Sequence, residues 1–230
     1  MIKPLCLAAL LLMGLPAPAR DALTRIETKW AAAALPVVRV ARAQGLPVDI
    51  VVQPGAQPDA SPIAMGIKDG RCELVFSFRA NPGADALQAS VPPALFEAAA
   101  EAVFAHEIGH CWRWMQGEWH GLPAGFAEAI DRGYADDTPE IAALRRAMRG
   151  TQREEGYADL VGLAWTRRAH PAQYAAVRDW LERYRADALP GEHHDTGAWL
   201  RLAREPSAFG PGDDMFRSAL TLWEQGLRAP

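Results

Sequence analysis

Two histidines and a glutamate at helical spacing are the residues of this 230-residue chain whose types point most directly to chemistry. His106, Glu107 and His110 form an H-E-x-x-H pattern that continues a helix-forming run over residues 94–103. Because positions i and i+4 lie on one face of a helix, the two imidazoles can point at a single metal ion. This set suits Zn²⁺ and leaves Glu107 to act as general base on a water molecule. The alternative is a helix with two histidines in solvent or in the core.

A hydrolytic zinc site needs a third protein ligand, and two known patterns could supply it. The metzincin pattern requires a glycine and a histidine where Arg113 and Gln116 stand, so it fails. The gluzincin pattern takes a glutamate from a second helix, with an aspartate four residues later. Glu155 and Asp159 have that spacing. Glu155 is thus the candidate ligand, and Asp159 is the candidate acceptor for a hydrogen bond from the back of a ligand imidazole. The alternative for this segment is a charged helix N-terminus, where acids are common.

The neighbouring Glu154 has a different expected role. Thr151 and Glu154 form a T-x-x-E pattern, which predicts a capping box at the start of a helix. Gly150 precedes this pattern and is expected to end the previous helix, which begins at residues 138–139. Glu154 would then have a structural role, which leaves Glu155 to bind the metal.

The two motifs together, H-E-I-G-H at 106–110 and E-x-x-A-D at 155–159, resemble the gluzincin zinc metallopeptidases. The resemblance is closest to the branch that contains the HtpX-like and CAAX-prenyl-protease-like enzymes, and it covers a few turns of two helices. It implies a zincin-like fold with Zn²⁺ held by the two histidines and Glu155, and with Glu107 as general base. Since this chain has no membrane-spanning helices around the site, the membrane-embedded chemistry of that branch does not carry over.

A pair of histidines in a predicted loop gives a further candidate for catalysis. The segment His193-His194-Asp195-Thr196 is similar to the H-P-x-T loop that follows the third ligand in the HtpX-like branch, with His194 in place of the proline. Either His193 or His194 could donate a hydrogen bond to the oxyanion of the reaction or bind the metal temporarily. The alternative is an exposed polar loop in which Asp195 caps the next helix. His120, between the two motifs, is expected at the surface.

Residues 1–19 have the features of a secretory signal peptide. Lys3 gives a positive start, residues 5–15 are apolar, and residues 17–19 form an A-x-A cleavage site. The apolar run is too short to span a membrane as a stable anchor. We therefore expect an exported protein, periplasmic or secreted, with no transmembrane segment after signal removal. An amphipathic or buried first helix is the alternative.

Export would leave two cysteines, Cys72 and Cys111, in an oxidising compartment. Two remaining thiols tend to pair there, and a disulfide would join a predicted strand to the active-site helix. The alternative is that both are small buried hydrophobic residues. The sequence leaves these two interpretations open.

The remaining sequence predicts an α+β fold in a single domain, residues 20–230. A small mixed sheet is expected in the N-terminal third, followed by the central active-site helix and a helical C-terminal part. The last predicted strand, residues 71–79, is expected to form the sheet edge that lines the cleft, where an extended peptide could add as another strand. An ordinary internal strand is the alternative. The predicted elements are a helix over 21–44, strands over 47–52, 63–67 and 71–79, and further helices over 138–150, 151–168 and 171–188.

These features predict a secreted or periplasmic zinc endopeptidase that acts on peptide or protein substrates. Zinc would activate a water molecule, and Glu107 would pass the proton of that water to the leaving amine. Two alternatives stay open: a chaperone-like or inhibitor-like zinc-binding module without turnover, and a zinc amidase that acts on cell-wall peptides. Glu107 argues against the first, because a purely structural site does not need this carboxylate. A net charge of -4 without a long basic run disfavours nucleic acid as a partner.

Overall fold

The structure, a computed structural model, describes residues 22–126 and 137–228. The predicted signal segment, residues 1–19, lies outside these residues. The described elements are α1 (Arg25–Ala43), β1 (Val48–Val52), β2 (Ile63–Lys68), β3 (Arg71–Phe76), α2 (Pro82–Ser90), α3 (Phe96–Met115), α4 (Pro139–Ala169), α5 (Tyr174–Arg185), α6 (Gly197–Leu202) and α7 (Met215–Gly226). The predicted α+β class with a small mixed sheet is confirmed. Within the described ranges, no helix has both the length and the apolarity needed to cross a membrane.

The sheet has three strands in the order β1-β3-β2. β1 pairs parallel to β3, with Val48 opposite Cys72, and β2 pairs antiparallel to β3. β3 is therefore the central strand, and the prediction that it forms the sheet edge is wrong. Its alternate side chains Cys72, Leu74 and Phe76 are fully buried. This alternation reveals which face of a strand meets the core, but it does not reveal whether a neighbour pairs on each side. The edge strand next to the cleft is β2.

α3 lies at the centre of the molecule and contacts α1, the sheet and α4. An aromatic cluster fixes its N-terminal half. Trp30 of α1 meets Phe96 and Phe104 of α3 edge to face, with ring centroids 5.2 and 5.9 Å apart. Phe76 of β3 stacks on Phe104 at 5.3 Å. Because Phe104 is two residues before His106, this cluster sets the position of the histidine-bearing turns relative to the sheet.

α4 is one continuous helix of 31 residues, with Gly150 in its interior. The predicted helix end at Gly150 and the predicted capping box at Thr151 are therefore wrong. Thr138 caps the helix instead, and the Thr151 hydroxyl donates to the carbonyl of Ala147 one turn earlier. Gly150 has a packing role, because a Cβ there would lie 3.0 Å from Cγ of His120. His120 itself is exposed, as predicted.

Small residues allow α3 and α4 to pack closely in opposite directions. A Cβ at Gly162 would lie 2.7 Å from the carbonyl oxygen of Ala102, and a Cβ at Gly109 would lie 3.3 Å from Cα of Ala158. Residues later in α3 therefore contact residues earlier in α4, so the two helices are antiparallel. This arrangement brings the motif on α4 opposite the motif on α3.

Cys72 of β3 and Cys111 of α3 form a disulfide, with sulfur atoms 2.00 Å apart and Cα atoms 5.9 Å apart. Both residues are fully buried. Because Cys111 directly follows His110, the bridge ties this turn of α3 covalently to the centre of the sheet.

Candidate metal centre

Three side chains from the two central helices converge on one point. His106 and His110 lie one turn apart on α3 and are 9 % and 8 % exposed. Their Nε2 atoms are 3.2 Å apart. Glu155 of α4 places one carboxylate oxygen 3.4 Å from Nε2 of His106 and the other 3.4 Å from Nε2 of His110. The donor atoms of the three residues all lie within 4.8 Å of one another, so the group could hold a metal ion.

Asp159 lies behind His106. Its Oδ1 accepts a hydrogen bond from Nδ1 of His106 at 2.8 Å. Since a carboxylate only accepts, Nδ1 carries the proton of the neutral imidazole, and in that form the lone pair of Nε2 points at the convergence point. Asp159 is 1 % exposed, and the hydroxyl of Thr196 donates to its Oδ2 at 2.6 Å. This buried aspartate therefore fixes both the tautomer and the ring orientation of His106.

The charges and lone pairs of the converging side chains favour a positive charge among them. Burial alone lowers the pKa of His106, but the hydrogen bonds to Asp159 and Glu155 outweigh burial and raise this pKa to about 10. Burial raises the pKa of Glu155, but hydrogen bonds with both histidines outweigh it and hold this pKa far below its usual range. Nδ1 of His110 is buried without a hydrogen-bond partner among the described residues. Two imidazole nitrogens and a carboxylate aimed at one point are stable only with a cation or protons among them. The residues thus fit a bound metal ion.

Glu107 lies in the same cavity and is not one of the three converging residues. Burial raises the pKa of its carboxyl, while the nearby histidines oppose this effect. A carboxylate with a raised pKa holds a proton more readily than an exposed one does, which suits transfer of a proton between two reacting groups.

Arg185 is a site residue that the sequence did not identify. It is the last residue of α5. Its Nη2 donates to Oδ1 of Asp159 at 2.8 Å and to Oε2 of Glu155 at 3.2 Å, and its Nε donates to Oδ2 of Asp159 at 3.1 Å. Burial lowers the pKa of Arg185, but the two carboxylates outweigh it and keep the guanidinium charged. No local spacing signal links Arg185 to α4, because the contact is made only when α5 packs on α4.

The loop of His193 and His194 also reaches the cavity. The two rings lie 4.1 Å apart, and Nε2 of His194 is 3.6 Å from Oε2 of Glu155. Burial, with a further contribution from Arg185, lowers the pKa of His194 to about 4. Asp195 does not cap α6, contrary to one of the two sequence interpretations. Thr196 holds the cap position, and the Asp195 carboxylate accepts from the backbone N–H of Gly191, which tightens the loop.

Glu154 is buried and forms an ion pair, so its predicted role in a capping box is wrong. Its carboxylate accepts from Nε of Arg113 at 3.1 Å and from Nη2 of Arg113 at 3.0 Å. It also accepts from the backbone N–H of His120 at 2.9 Å. Side chains one residue apart on a helix point about 100° apart. Glu155 therefore faces the histidines of α3, while Glu154 faces the buried arginine.

The converging residues open into a cavity of about 650 Å³. β2 lines one side of it, and α5 with the loop at 187–194 lines another. Its apolar wall consists of Ile63, Ala64, Met65, Leu87, Ala102, Val103, Trp119, Trp180 and Leu181. The cleft can thus hold an elongated molecule with apolar groups alongside the donor set.

Comparison with protein-family models, with curated proteins and with solved structures gives no match. The geometry of the site therefore carries the functional argument.

Proposed function

We propose that the protein is an exported zinc endopeptidase of the gluzincin type, with a zincin-like arrangement of its active-site helix and glutamate helix. One observation carries the proposal. Zinc with bonds of about 2.0–2.2 Å in a tetrahedral site holds its ligand atoms about 3.3–3.6 Å apart. Nε2 of His106 and Nε2 of His110 are 3.2 Å apart, and the Glu155 carboxylate faces both of them, with Oε2 3.4 Å from the first nitrogen and Oε1 3.4 Å from the second. The three protein donors leave a fourth position for water and substrate, as in hydrolytic rather than structural zinc sites.

Glu107 is the proposed general base. Bound zinc supplies the Lewis acidity that polarises the scissile carbonyl and acidifies water. Glu107 takes a proton as the water oxygen bonds to the carbonyl carbon, and it gives that proton to the nitrogen as the carbon–nitrogen bond breaks. The position of Glu107 in the cavity supports this role, because the raised pKa of its half-buried carboxyl lets it hold the proton between the two steps.

His194 is the better placed of the two loop histidines to stabilise the oxyanion. It lies 3.6 Å from the ligand Glu155 and is neutral near pH 7, because its pKa is lowered to about 4. A neutral imidazole has one N–H group, which can donate to an oxygen that gains charge in the reaction. His193 packs against His194 and lines the cavity beside it.

β2 offers a binding edge for an extended substrate. Among the described strands it pairs only with β3, and Ile63, Ala64 and Met65 of β2 line the cavity. An exposed strand edge can bind a peptide through backbone hydrogen bonds, while pockets select the side chains. This edge next to the donor set supports a peptide substrate.

The test combines metal analysis with digestion of a peptide library. We expect one zinc per chain, lost in His106→Ala, and cleavage of peptides that stops when zinc is removed by a chelator. Glu107→Gln should keep zinc and fold but lose activity by roughly 10²–10⁴ or more. Glu97→Gln, an exposed glutamate in the first turn of the same helix, is the matched control and should stay active. A zinc-loaded wild-type protein that cleaves no peptide, or an active Glu107→Gln variant, would refute the proposal.

A further inference from the structure

Trp119 stands at one end of the donor set. Its indole meets the ring of His110 edge to face, with centroids 5.5 Å apart and planes at 75°. The side chain is partly exposed and lines the cavity. A large apolar surface therefore faces the cleft directly beside one of the metal-binding residues.

The position of Trp119 is supported from behind by His120. The two rings stack at 5.2 Å with planes 20° apart, and the imidazole of His120 lies on the flat surface that Gly150 leaves on α4. The backbone of His120 has a φ of 59°, a left-handed conformation that few residues other than glycine adopt. Backbone strain of this kind persists only where the surroundings impose it, and it is concentrated at functional sites.

A buried arginine imposes this loop conformation. Arg113 is 1 % exposed, and its Nη2 donates to the carbonyl oxygens of Glu118 and Gly121 at 2.8 Å each. Its Nη1 donates to the carboxylate of Glu118 at 2.8 Å. Arg113 also pairs with Glu154, which accepts the N–H of His120. Arg113 and Glu154 thus hold the backbone at residues 118–121, and with it Trp119, in one position.

The cavity has a second apolar end on the other side of the donor set. Along α3 its wall runs from Ala102 to His110, which are eight residues and thus about 12 Å apart. Trp180 lies towards the Ala102 end, because Gln173 just before α5 donates to the carbonyl of Ala94, whereas Arg185 at the end of α5 meets Asp159 behind His106. Trp180 also donates to Ser90 at the end of α2, the helix that carries Leu87, and both Leu87 and Trp180 line the cavity. Trp119 lines the His110 end. An extended peptide covers about 12 Å with three to four residues. The donor set lies between the two ends, so each end can receive a side chain within about two residues of the reacting bond.

We infer that Trp119 is a specificity-determining residue, and that the substrate is a peptide with large apolar side chains on both sides of the scissile bond. Trp119 binds one of them at the His110 end, and the pocket of Leu87 and Trp180 binds the other. The inference rests on the proposed peptidase function, since it names the substrate class of that site. A peptide with small or charged residues at these positions, such as an alanine-rich cell-wall peptide, would leave both apolar ends uncovered.

The experiment compares matched peptides in the zinc-loaded full-length protein. Each position within two residues of the cleaved bond is occupied by Phe or by Ala, and kcat/KM is measured for wild type and Trp119→Ala. In parallel, the Kd of each peptide is measured in a Glu107→Gln background, where binding occurs without turnover. Leu35→Ala is the control, because this side chain of α1 is 50 % exposed and does not line the cavity.

We expect the wild type to prefer Phe over Ala on both sides of the bond. In Trp119→Ala, the ratio of kcat/KM for Phe over Ala should fall roughly 10- to 100-fold on one side of the bond and stay unchanged on the other. The variant should retain zinc. A Trp119→Ala variant that keeps both preferences, that slows Phe and Ala peptides equally, or that loses zinc overturns the inference while the peptidase function stands. If no peptide is cleaved but Phe peptides bind in a Trp119-dependent way, the proposed function fails and the subsite stands.

Discussion

The buried pair of Arg113 and Glu154 gives a sharp test of the structure. The sequence assigns Glu154 to a helix cap, whereas the structure makes it the buried partner of an arginine. These two roles predict different losses of stability for Glu154→Ala. A lost cap costs about 1 kcal/mol. Leaving one member of a buried ion pair without its partner costs about 3–5 kcal/mol.

The loss can be worked out from the contacts that remain. After Glu154→Ala, Arg113 keeps the two loop carbonyls and the carboxylate of Glu118, whose side chain is 49 % exposed. The cost of the unpaired charge should therefore be about 3 kcal/mol, at the lower end of the range. The N–H of His120 also loses its acceptor, which adds about 1 kcal/mol. We expect the free energy of unfolding to fall by about 4 kcal/mol in total, which for a chain of this size lowers Tm by about 8–16 °C.

Urea unfolding of the metal-free protein with its disulfide intact measures this loss. Glu140→Ala, at an exposed position in the first turn of α4, is the control and should leave the urea midpoint nearly unchanged. At temperatures where Glu154→Ala is folded, it should still bind one zinc, whereas Glu155→Ala should bind none. A loss near 1 kcal/mol for Glu154→Ala would contradict the buried ion pair. Loss of zinc in Glu154→Ala with retention in Glu155→Ala would show that the ligand register is wrong by one residue.

Two further predictions concern other ion pairs. Asp159→Ala removes the acceptor that orients His106, so zinc affinity measured by competition with a chelator should fall about 10–100-fold, and an unchanged affinity would refute this role. The hydrogen bond from Arg79 lowers the pKa of the buried Glu27 below 4.5, although burial opposes this shift. The pair therefore makes its full contribution to the free energy of unfolding above pH 4.5, the ordinary pKa of a glutamate in the unfolded chain. This contribution is lost as the pH falls through the lower pKa that Glu27 has in the folded protein. Glu27→Gln should lower the urea midpoint at neutral pH, and the difference from wild type should disappear in acid; a difference that persists there would exclude the ion pair as its cause.

The residues of the metal centre could be predicted where their spacing lies within one helix. A turn of helix places positions i and i+4 on the same side, so the sequence alone pairs His106 with His110 and Glu155 with Asp159. That relation is local and does not depend on how the helices meet. Most of the helices were also predictable, because apolar periodicity and cap residues act over a few neighbours. α2 was not predicted, and α4 was predicted as two helices.

The residues that were missed depend on contacts between elements. Arg185 meets Asp159 from a helix 26 positions later, and Arg113 meets Glu154 across 41 positions. Neither pair leaves a pattern in its own segment. Gly150 misled the prediction for the same reason, since a glycine in a charged segment resembles a helix end until the ring that packs on it is known. The order of the strands was equally hidden, because the buried alternation of β3 is compatible with an edge or a central position.

The side chains of the candidate metal centre are held by a series of contacts within the protein, so an ion that binds there would not have to reorganise them. His106 is oriented by Asp159, and Asp159 is held by Arg185 and Thr196. Arg185 also contacts Glu155, so one guanidinium positions both the proposed ligand carboxylate and the carboxylate that orients the histidine. Fixing a flexible side chain on binding costs about 0.5–1.5 kcal/mol. Because these contacts join protein groups to one another, the protein meets that cost during folding, and more of the interaction energy would remain for binding a metal ion.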